Sequence, residues 1–254
     1  MDVIEIALIV MASGFAGLID AMVGGGGLIL TPALFATFPN ASPATLFGTN
    51  KCAAICGTTV AAARYSRRVA LRWRVLLPAA ICALVGSFAG AWTVIRVEPT
   101  FVRQILPVIL LGVLVYTLLK KDLGYRHQPH QRPWVERTFA CLIGAAIGWY
   151  DGFFGPGTGS FFIFLLVRFL GYDFLNASAS AKLLNVATNL AAIVLFASKG
   201  HVWWQLGLMM GVANVAGSVV GSHLALKHGS GLVRWAFVSV VSLLIIKTGI
   251  DAYL

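Results

Sequence analysis

The sequence predicts an all-α, polytopic membrane protein built from two homologous halves, and three observations lead to that fold class. The first is composition: 59% of the 254 residues are hydrophobic and only 11% are charged, whereas a soluble domain has about 25% charged residues. The second is a series of apolar runs long enough to cross a bilayer. The third is a set of polar and glycine residues that recurs at a constant offset along the chain.

Apolar runs of spanning length, for which roughly 20 residues are needed, make up most of the chain. They lie at 44–64, 73–95, 101–119, 177–198, 203–226 and 231–251. Two further apolar segments, 4–38 and 138–171, are each interrupted in the middle by a glycine-rich stretch. Asp2 and Glu5 stand where a cleavable signal would carry basic residues, so we expect residues 4–22 to remain in the mature protein.

The two halves align without a gap at an offset of 131 residues, the separation of Asp20 from Asp151 and of Lys51 from Lys182. Other matched pairs are Gly17 and Gly148, Gly24 and Gly155, Gly26 and Gly157, Trp73 and Trp204, and Arg103 and Arg234. Matched charged and aromatic residues in one register indicate an internal duplication. We therefore predict a first repeat at 1–119, a basic cytoplasmic linker at 120–137 and a second repeat at 138–254. Each repeat would contain one broken, re-entrant helix and three transmembrane helices.

The formal net charge of +10 is concentrated in short connections between the apolar runs. Five arginines lie between residues 64 and 74, and five lysines and arginines lie between residues 120 and 137. This is the positive-inside pattern of cytoplasmic loops, so the basic charge does not indicate a nucleic-acid-binding protein.

The orientation of the two repeats depends on the broken segments. If each enters and leaves the membrane on the same side, the halves are inverted repeats; if each crosses fully, the halves are parallel. We expect inverted repeats, because inverted halves can expose a central site to each side of the membrane in turn.

The glycine-rich stretches, 20–27 and 151–159, are the main functional feature of the sequence. Broken helices at membrane depth are tolerated only where protein or a water-filled cavity surrounds them, and matched breaks in two halves point to a transporter's binding site. A helix that begins after such a break presents unpaired N–H groups and a positive dipole end, which together bind anions. The alternative is that the glycines only permit a tight bend or close helix packing.

A matched lysine, Lys51 or Lys182, lies about two turns into an apolar helix of each half. A charged group in a spanning segment needs a partner or a polar cavity, so these lysines are candidates for substrate binding. The alternative is a structural ion pair within each half, Lys51 with Asp20 and Lys182 with Asp151. Three roles stay open for the aspartates: partner of the lysine, orienting group for the loop, or proton acceptor in coupled transport.

Polar residues continue along the helix that carries the second lysine. Ser178, Lys182, Asn185 and Asn189 follow one another at i, i+4, i+7 and i+11, which places them on one helix face. The first half offers a leaner face, with Thr58 beyond its lysine and Thr49 and Asn50 beside it, so we expect the second half to supply more of the substrate contacts. No histidine pair has metal-ligand spacing with a third ligand, and neither a metal nor a cofactor is expected.

These segments resemble the sulfite exporter TauE/SafE family of membrane permeases. The resemblance rests on GFAGLIDAMVGGGGLILTPAL and LFGTNKCAAICGTTVAAARYSRR in the first half, and on GAAIGWYDGFFGPGTGSFFIFLLV and ASAKLLNVATNLAAIVLF in the second. It implies secondary transport of small anions, commonly sulfur oxyanions or organosulfonates, by a multi-pass protein of the bacterial inner membrane. Ala181 departs from the pattern of the first half, which has Asn50 before its lysine, so two identical anion contacts are not expected.

From the residue patterns and the resemblance together, the candidate substrate-binding residues are Gly24, Gly25, Gly26, Asn50, Lys51, Gly155, Gly157, Thr158, Gly159, Lys182, Asn185 and Asn189. Asp20 and Asp151 are assigned a proton-coupling or structural role. The expected protein is an alternating-access carrier of sulfite or a sulfonate and not an enzyme. An anion channel on the same scaffold and a carrier of a carboxylate anion are the alternatives. The expected partners are the small anion, the lipid bilayer and a second copy in a homodimer, without nucleic acid.

Overall fold

The computed structural model describes residues 3–102, 104, 105, 108, 111, 112, 115 and 133–228. Its helices are α1 (Val3–Val23), α2 (Gly27–Thr37), α3 (Pro43–Ser66), α4 (Trp73–Val94), α5 (Pro133–Phe153), α6 (Thr158–Leu170), α7 (Phe174–Ser198) and α8 (Trp204–His228). The described positions from 99 to 115 are helical as well, and no described residue lies in a strand. The predicted all-α class is confirmed for these residues. The predicted span at 231–251, part of that at 101–119 and linker residues 120–132 lie outside them.

Four of the described helices are long and apolar enough to cross a membrane, namely α1, α4, α7 and α8. Two more, α3 and α5, have 24 and 21 residues, but charged residues such as Lys51 and Glu136 interrupt their apolar character. Large apolar side chains point outward along α4 and α8, among them Ile81 and Val212. Such an extensive exposed apolar surface is typical of a protein that contacts lipid.

The helices of the two halves correspond one to one at the predicted offset: α1 to α5, α2 to α6, α3 to α7 and α4 to α8. The first helix of each half ends within the glycine-rich stretch, α1 at Val23 and α5 at Phe153. A short helix of 11 residues, α2, or of 13 residues, α6, then begins. The chain is therefore broken at 24–26 and 154–157, within the predicted stretches.

The halves interlock through reciprocal helix pairs. α4 of the first half packs along α5 of the second, and α8 of the second half packs along α1 of the first. Gly17 of α1 lies against Asn214, and its counterpart Gly148 of α5 lies against Ala83, the counterpart of Asn214. A Cβ atom on either glycine would lie within 2.9 Å of the facing helix backbone. Small residues at these positions let the helices approach closely, as is common in membrane proteins.

Contacts between neighbouring helices also give their relative directions. The Ser13 hydroxyl of α1 donates to the Met210 carbonyl of α8, and Ser218, further along α8, donates to the carbonyl of Gly17. The contacts advance in the same chain direction, so α1 and α8 are parallel. Gly144 and Gly152 of α5 likewise face Ala79 and Ser87 of α4, so α4 and α5 are parallel to each other.

A buried carboxylate joins the halves at one end of the helices. Glu136 of α5 is fully buried and lies 2.8 Å from the Arg72 guanidinium of the α3–α4 connection. The Tyr172 hydroxyl, between α6 and α7, donates to the same carboxylate at 2.6 Å. Burial, reinforced by this hydrogen bond, raises the pKa of the Tyr172 phenol above its ordinary value. The phenol therefore stays protonated at neutral pH and continues to donate to Glu136.

Candidate functional site

The two chain breaks touch each other. The Ser160 amide donates to the Gly24 carbonyl at 3.1 Å, and the Ser160 hydroxyl donates to the Val23 carbonyl at 2.7 Å. Gly24 has a φ of +79°, in the left-handed region that favours glycine. A Cβ atom on Gly159 would lie 2.6 Å from the Gly24 Cα atom. The two chain breaks are therefore packed against each other, with their glycine backbones in direct contact.

Each lysine pairs with the aspartate of the other half. Lys51 Nζ lies 2.5 Å from Asp151 Oδ1, and Lys182 Nζ lies 2.7 Å from Asp20 Oδ2. Lys182 also donates to the Asp20 carbonyl. The alternative considered from the sequence, an ion pair within each half, is therefore wrong in its choice of partners. The broken helix of each half packs between the halves, so its carboxylate faces the lysine of the opposite one.

Because the two ion pairs are buried, loss of either partner is costly. The side chains of Lys51, Asp151 and Lys182 are 4%, 2% and 1% exposed, and that of Asp20 is 14% exposed. A buried charge without a partner would cost several kcal/mol, so each pair restrains the two halves against each other. Both lysines are engaged by carboxylates, and the four charged groups sum to zero. In this conformation the expected positive charge of the lysines is balanced by the aspartates.

A small cavity lies where the broken helices meet, and about 30 Å³ of it is open to the centre of a water molecule. One water needs roughly 10–15 Å³ in this measure, so the cavity has room for two or three waters. The predicted site residues that line it are Gly24, Gly26, Asn50, Lys51, Gly155, Thr158, Gly159, Asn185 and Asn189, together with both aspartates. Gly25, Gly157 and Lys182 do not line it. Lys182 donates to Asp20, which does line the cavity, and Gly157 is the N-cap of α6.

Sequence reasoning missed one polar residue of the cavity, Asn214 of α8. Its side-chain amide donates to the Ser13 carbonyl at 2.9 Å. The repeat comparison does not single out this residue, because its counterpart in the first half is Ala83. The available signal was an asparagine in the middle of a helix that is otherwise apolar enough to span a membrane.

The backbone amides at the breaks divide into two groups. Those of Thr158 and Ser160 already donate to the carbonyls of Gly155 and Gly24. Those of Gly26, Gly27 and Gly159, which all line the cavity, have no acceptor among the described residues. Unpaired N–H groups, as anticipated for the breaks, therefore belong to three of the described residues that line the cavity.

Two acceptors at the cavity also have no hydrogen-bond partner in the described structure, Asn50 Oδ1 and Asp151 Oδ2. The Asn50 amide nitrogen donates to the Thr31 hydroxyl at 2.9 Å. Because buried polar groups are nearly always hydrogen-bonded, a cavity with both free donors and free acceptors is suited to a polar occupant.

Comparison with known proteins identifies the family of the chain. The family model described as sulfite exporter TauE/SafE matches residues 9–248. The chain is 38% identical over 240 residues to the "Probable membrane transporter protein YfcA" of Escherichia coli K12, covering 94% of this chain and 87% of that protein. It is 36% identical over 245 residues to the "Probable membrane transporter protein ORF9" of a Sinorhizobium species, with coverages of 95% and 91%. No solved structure matches the chain. The chain therefore belongs to the sulfite exporter TauE/SafE family and is a membrane transporter.

Proposed function

We propose that this protein is a secondary transporter that carries a small sulfur-containing oxyanion, such as sulfite or an organosulfonate, across the bacterial inner membrane. It works by alternating access and catalyses no covalent chemistry. The observation that carries the proposal is the cavity at the contact of the two broken helices, where glycine N–H groups and side-chain amides of both halves converge. The family's description as sulfite exporters supports the choice of anion.

The oxygens of the anion accept hydrogen bonds from the N–H groups of Gly26, Gly27 and Gly159. The amides of Asn185 and Asn189 orient the anion from α7. Because α2 and α6 both begin at the cavity, their positive dipole ends also favour a negative charge there. The small cavity volume favours a compact anion in this conformation, and sulfite, with one sulfur and three oxygens, is such an anion.

The crossed ion pairs connect binding to movement of the halves. An anion in the cavity competes with Asp151 for Lys51, since both side chains line the cavity. Lys51 belongs to the first half and Asp151 to the second, so this competition weakens a contact between the halves and permits them to rock. An aspartate released from its lysine is also a proton acceptor, which would couple transport to a proton gradient.

Removing the asparagine amides tests the placement of the anion. In proteoliposomes, Asn185→Ala and Asn189→Ala are expected to reduce the uptake of labelled sulfite by about 10-fold or more, since a hydrogen bond to a charged group contributes about 1.5–3 kcal/mol. Asn176→Ala is the matched control, because Asn176 lies on the same helix but bonds Asp173 outside the cavity. Unchanged uptake in both cavity variants would contradict this placement.

A flux that never saturates would favour an anion channel, and faster uptake of acetate than of sulfite would favour a carboxylate carrier.

The inverted arrangement of the halves is part of the proposal, and helix directions support it. Trp203, just before α8, donates its amide to Thr49 near the start of α3, and Gly57 further along α3 faces Ser218 of α8, so α3 is parallel to α8 and hence to α1. The short connection 67–72 turns the chain back from α3 into α4, which is parallel to α5. The equivalent helices α1 and α5 then point in opposite directions.

Arg68 and Lys199 occupy equivalent positions in the two repeats, and both are exposed. Inverted repeats place them on opposite sides of the membrane, whereas parallel repeats place them on the same side. In a variant without its native cysteines, we expect Lys199→Cys to react with an impermeant maleimide in intact cells and Arg68→Cys to react only after permeabilisation. Labelling of both from the same side would exclude inversion.

A further inference from the structure

A second and larger cavity lies at the end of the molecule where α3 and α8 finish. Its volume, in the same measure as the central cavity, is about 590 Å³. It is lined by Arg64, Arg67, Arg68, Leu175, His223, Leu226 and Lys227, and we call it the basic vestibule. We propose that the basic vestibule binds a small oxyanion and holds it before it enters the central cavity. Binding in the vestibule stands on its own, while onward passage rests on the proposed transport function.

The charge of the basic vestibule is not compensated by the described residues. Its lining contains three guanidinium groups and one ammonium group but no carboxylate, and none of these cations takes part in an ion pair within the described residues. The Arg64 Nε atom is buried without a hydrogen-bond partner there. Unpaired cations in a concave site focus a positive potential that concentrates anions. Guanidinium groups add bidentate donors that match the spacing of oxyanion oxygens.

The position of the basic vestibule relates it to the central cavity. A buried cluster of Ala21, Ala61, Tyr65 and Ala179 lies between the two, and Leu226 of the vestibule packs against it. On its inner side Ala21 adjoins Asp20, which lines the central cavity. On its outer side Tyr65 adjoins Arg64. The Tyr65 hydroxyl donates to the Ala21 carbonyl at 2.8 Å and so joins α3 to α1 within the cluster.

The same helix contributes to both cavities. Thr58 of α3 lines the central cavity and lies 3.3 Å from Asp20 Oδ2. Arg64 and Arg67 line the basic vestibule about 1.7 and 2.5 helical turns further on. An anion held by the arginines is therefore separated from the central cavity by the depth of the Tyr65 cluster. Basic pockets at a membrane surface can hold either a free oxyanion or a phospholipid headgroup, and labelling in two lipid compositions distinguishes them.

Charge-selective labelling tests the basic vestibule without requiring transport. In a cysteine-free background, Leu175→Cys places a thiol in the vestibule, and the protein is reconstituted in nanodiscs of phosphatidylcholine. We expect an anionic methanethiosulfonate to react roughly 10-fold faster than a cationic one, and sulfate to slow the reaction. The combined substitution Arg64→Gln, Arg67→Gln and Arg68→Gln should abolish both effects. Lys199→Cys, which lies outside the vestibule, is the matched control and should be indifferent to the arginine substitutions.

Nanodiscs with added phosphatidylglycerol distinguish the two sources of oxyanion. Protection by sulfate in both lipid compositions supports the proposal. If phosphatidylglycerol alone blocks labelling, and does so only while the arginines are present, the vestibule is a lipid site and the proposal is overturned. Equal rates for the anionic and cationic reagents overturn it as well. Because no step requires sulfite uptake, a failure of the transport proposal and a failure of this one are distinguishable.

Discussion

Replacing Lys51 with methionine is expected to lower the free energy of unfolding by about 3–5 kcal/mol, because it leaves the buried carboxylate of Asp151 without its cation. Asp151 is 2% exposed, and its other oxygen has no hydrogen-bond partner among the described residues. For a chain of this size, such a loss corresponds to a fall in Tm of roughly 6–20 °C. Thermal denaturation of the purified protein in detergent measures it.

Because each lysine pairs with the aspartate of the other half, two double variants are expected to differ in stability. Lys51→Met combined with Asp151→Leu removes both charges of one pair, and replacing a buried ion pair with apolar residues of similar volume is often neutral. We therefore expect most of the lost stability to return. Lys51→Met combined with Asp20→Leu is the matched control, since it leaves Asp151 and Lys182 both without partners, and we expect a further loss. If the second combination were the one to recover stability, each lysine would pair within its own half.

The restored double variant also separates folding from transport. Lys51 lines the central cavity, so a folded protein without it is expected to take up labelled sulfite at least about 10-fold more slowly. Wild-type uptake by that stable variant would leave Lys51 with a structural role only.

Local physics explains what the sequence could reveal about this fold. Glycine-rich interruptions in apolar runs predict broken helices because unpaired backbone is costly in lipid, and the structure breaks the chain at 24–26 and 154–157. Matched lysines and aspartates in an apolar chain indicate a shared buried site for the same reason. The first inference needs only the residues of one segment, and the second needs only the alignment of the two halves.

The choice of partners could not be obtained in this way. Asp20 and Lys182 are 162 residues apart, and their contact depends on how α1 and α7 pack across the two halves. A repeat alignment gives equivalent positions but is silent on whether equivalent groups pair within a half or between halves. Two further features could not be predicted for the same reason, because each depends on a long-range contact. They are the hydrogen bond from the Ser160 amide to the Gly24 carbonyl and the presence of Asn214 at the cavity.

Gly24→Ala is expected to lower the free energy of unfolding by about 2–5 kcal/mol, for two independent reasons. An alanine at a φ of +79° is disfavoured by about 1–2 kcal/mol. Its Cβ atom would also lie 2.6 Å from the Ser160 amide nitrogen and 2.7 Å from the Gly159 Cα atom. Both are backbone atoms that no rotamer change can move aside, and such overpacking costs about 1–3 kcal/mol or more.

Three other glycines separate these two effects. Gly200 has a φ of +76° and no atom within 4 Å of the position that a Cβ atom would take, so Gly200→Ala carries only the conformational cost. Gly159→Ala carries only the clash, at 2.6 Å from the Gly24 Cα atom, and Gly112→Ala carries neither. If the broken helices touch as described, the loss for Gly24→Ala equals roughly the losses for Gly159→Ala and Gly200→Ala together. Sulfite uptake then falls with Gly24→Ala and Gly159→Ala but not with Gly200→Ala. If instead Gly24→Ala costs no more than Gly200→Ala, the two breaks are not in contact, and the cavity assigned to the anion cannot form between them.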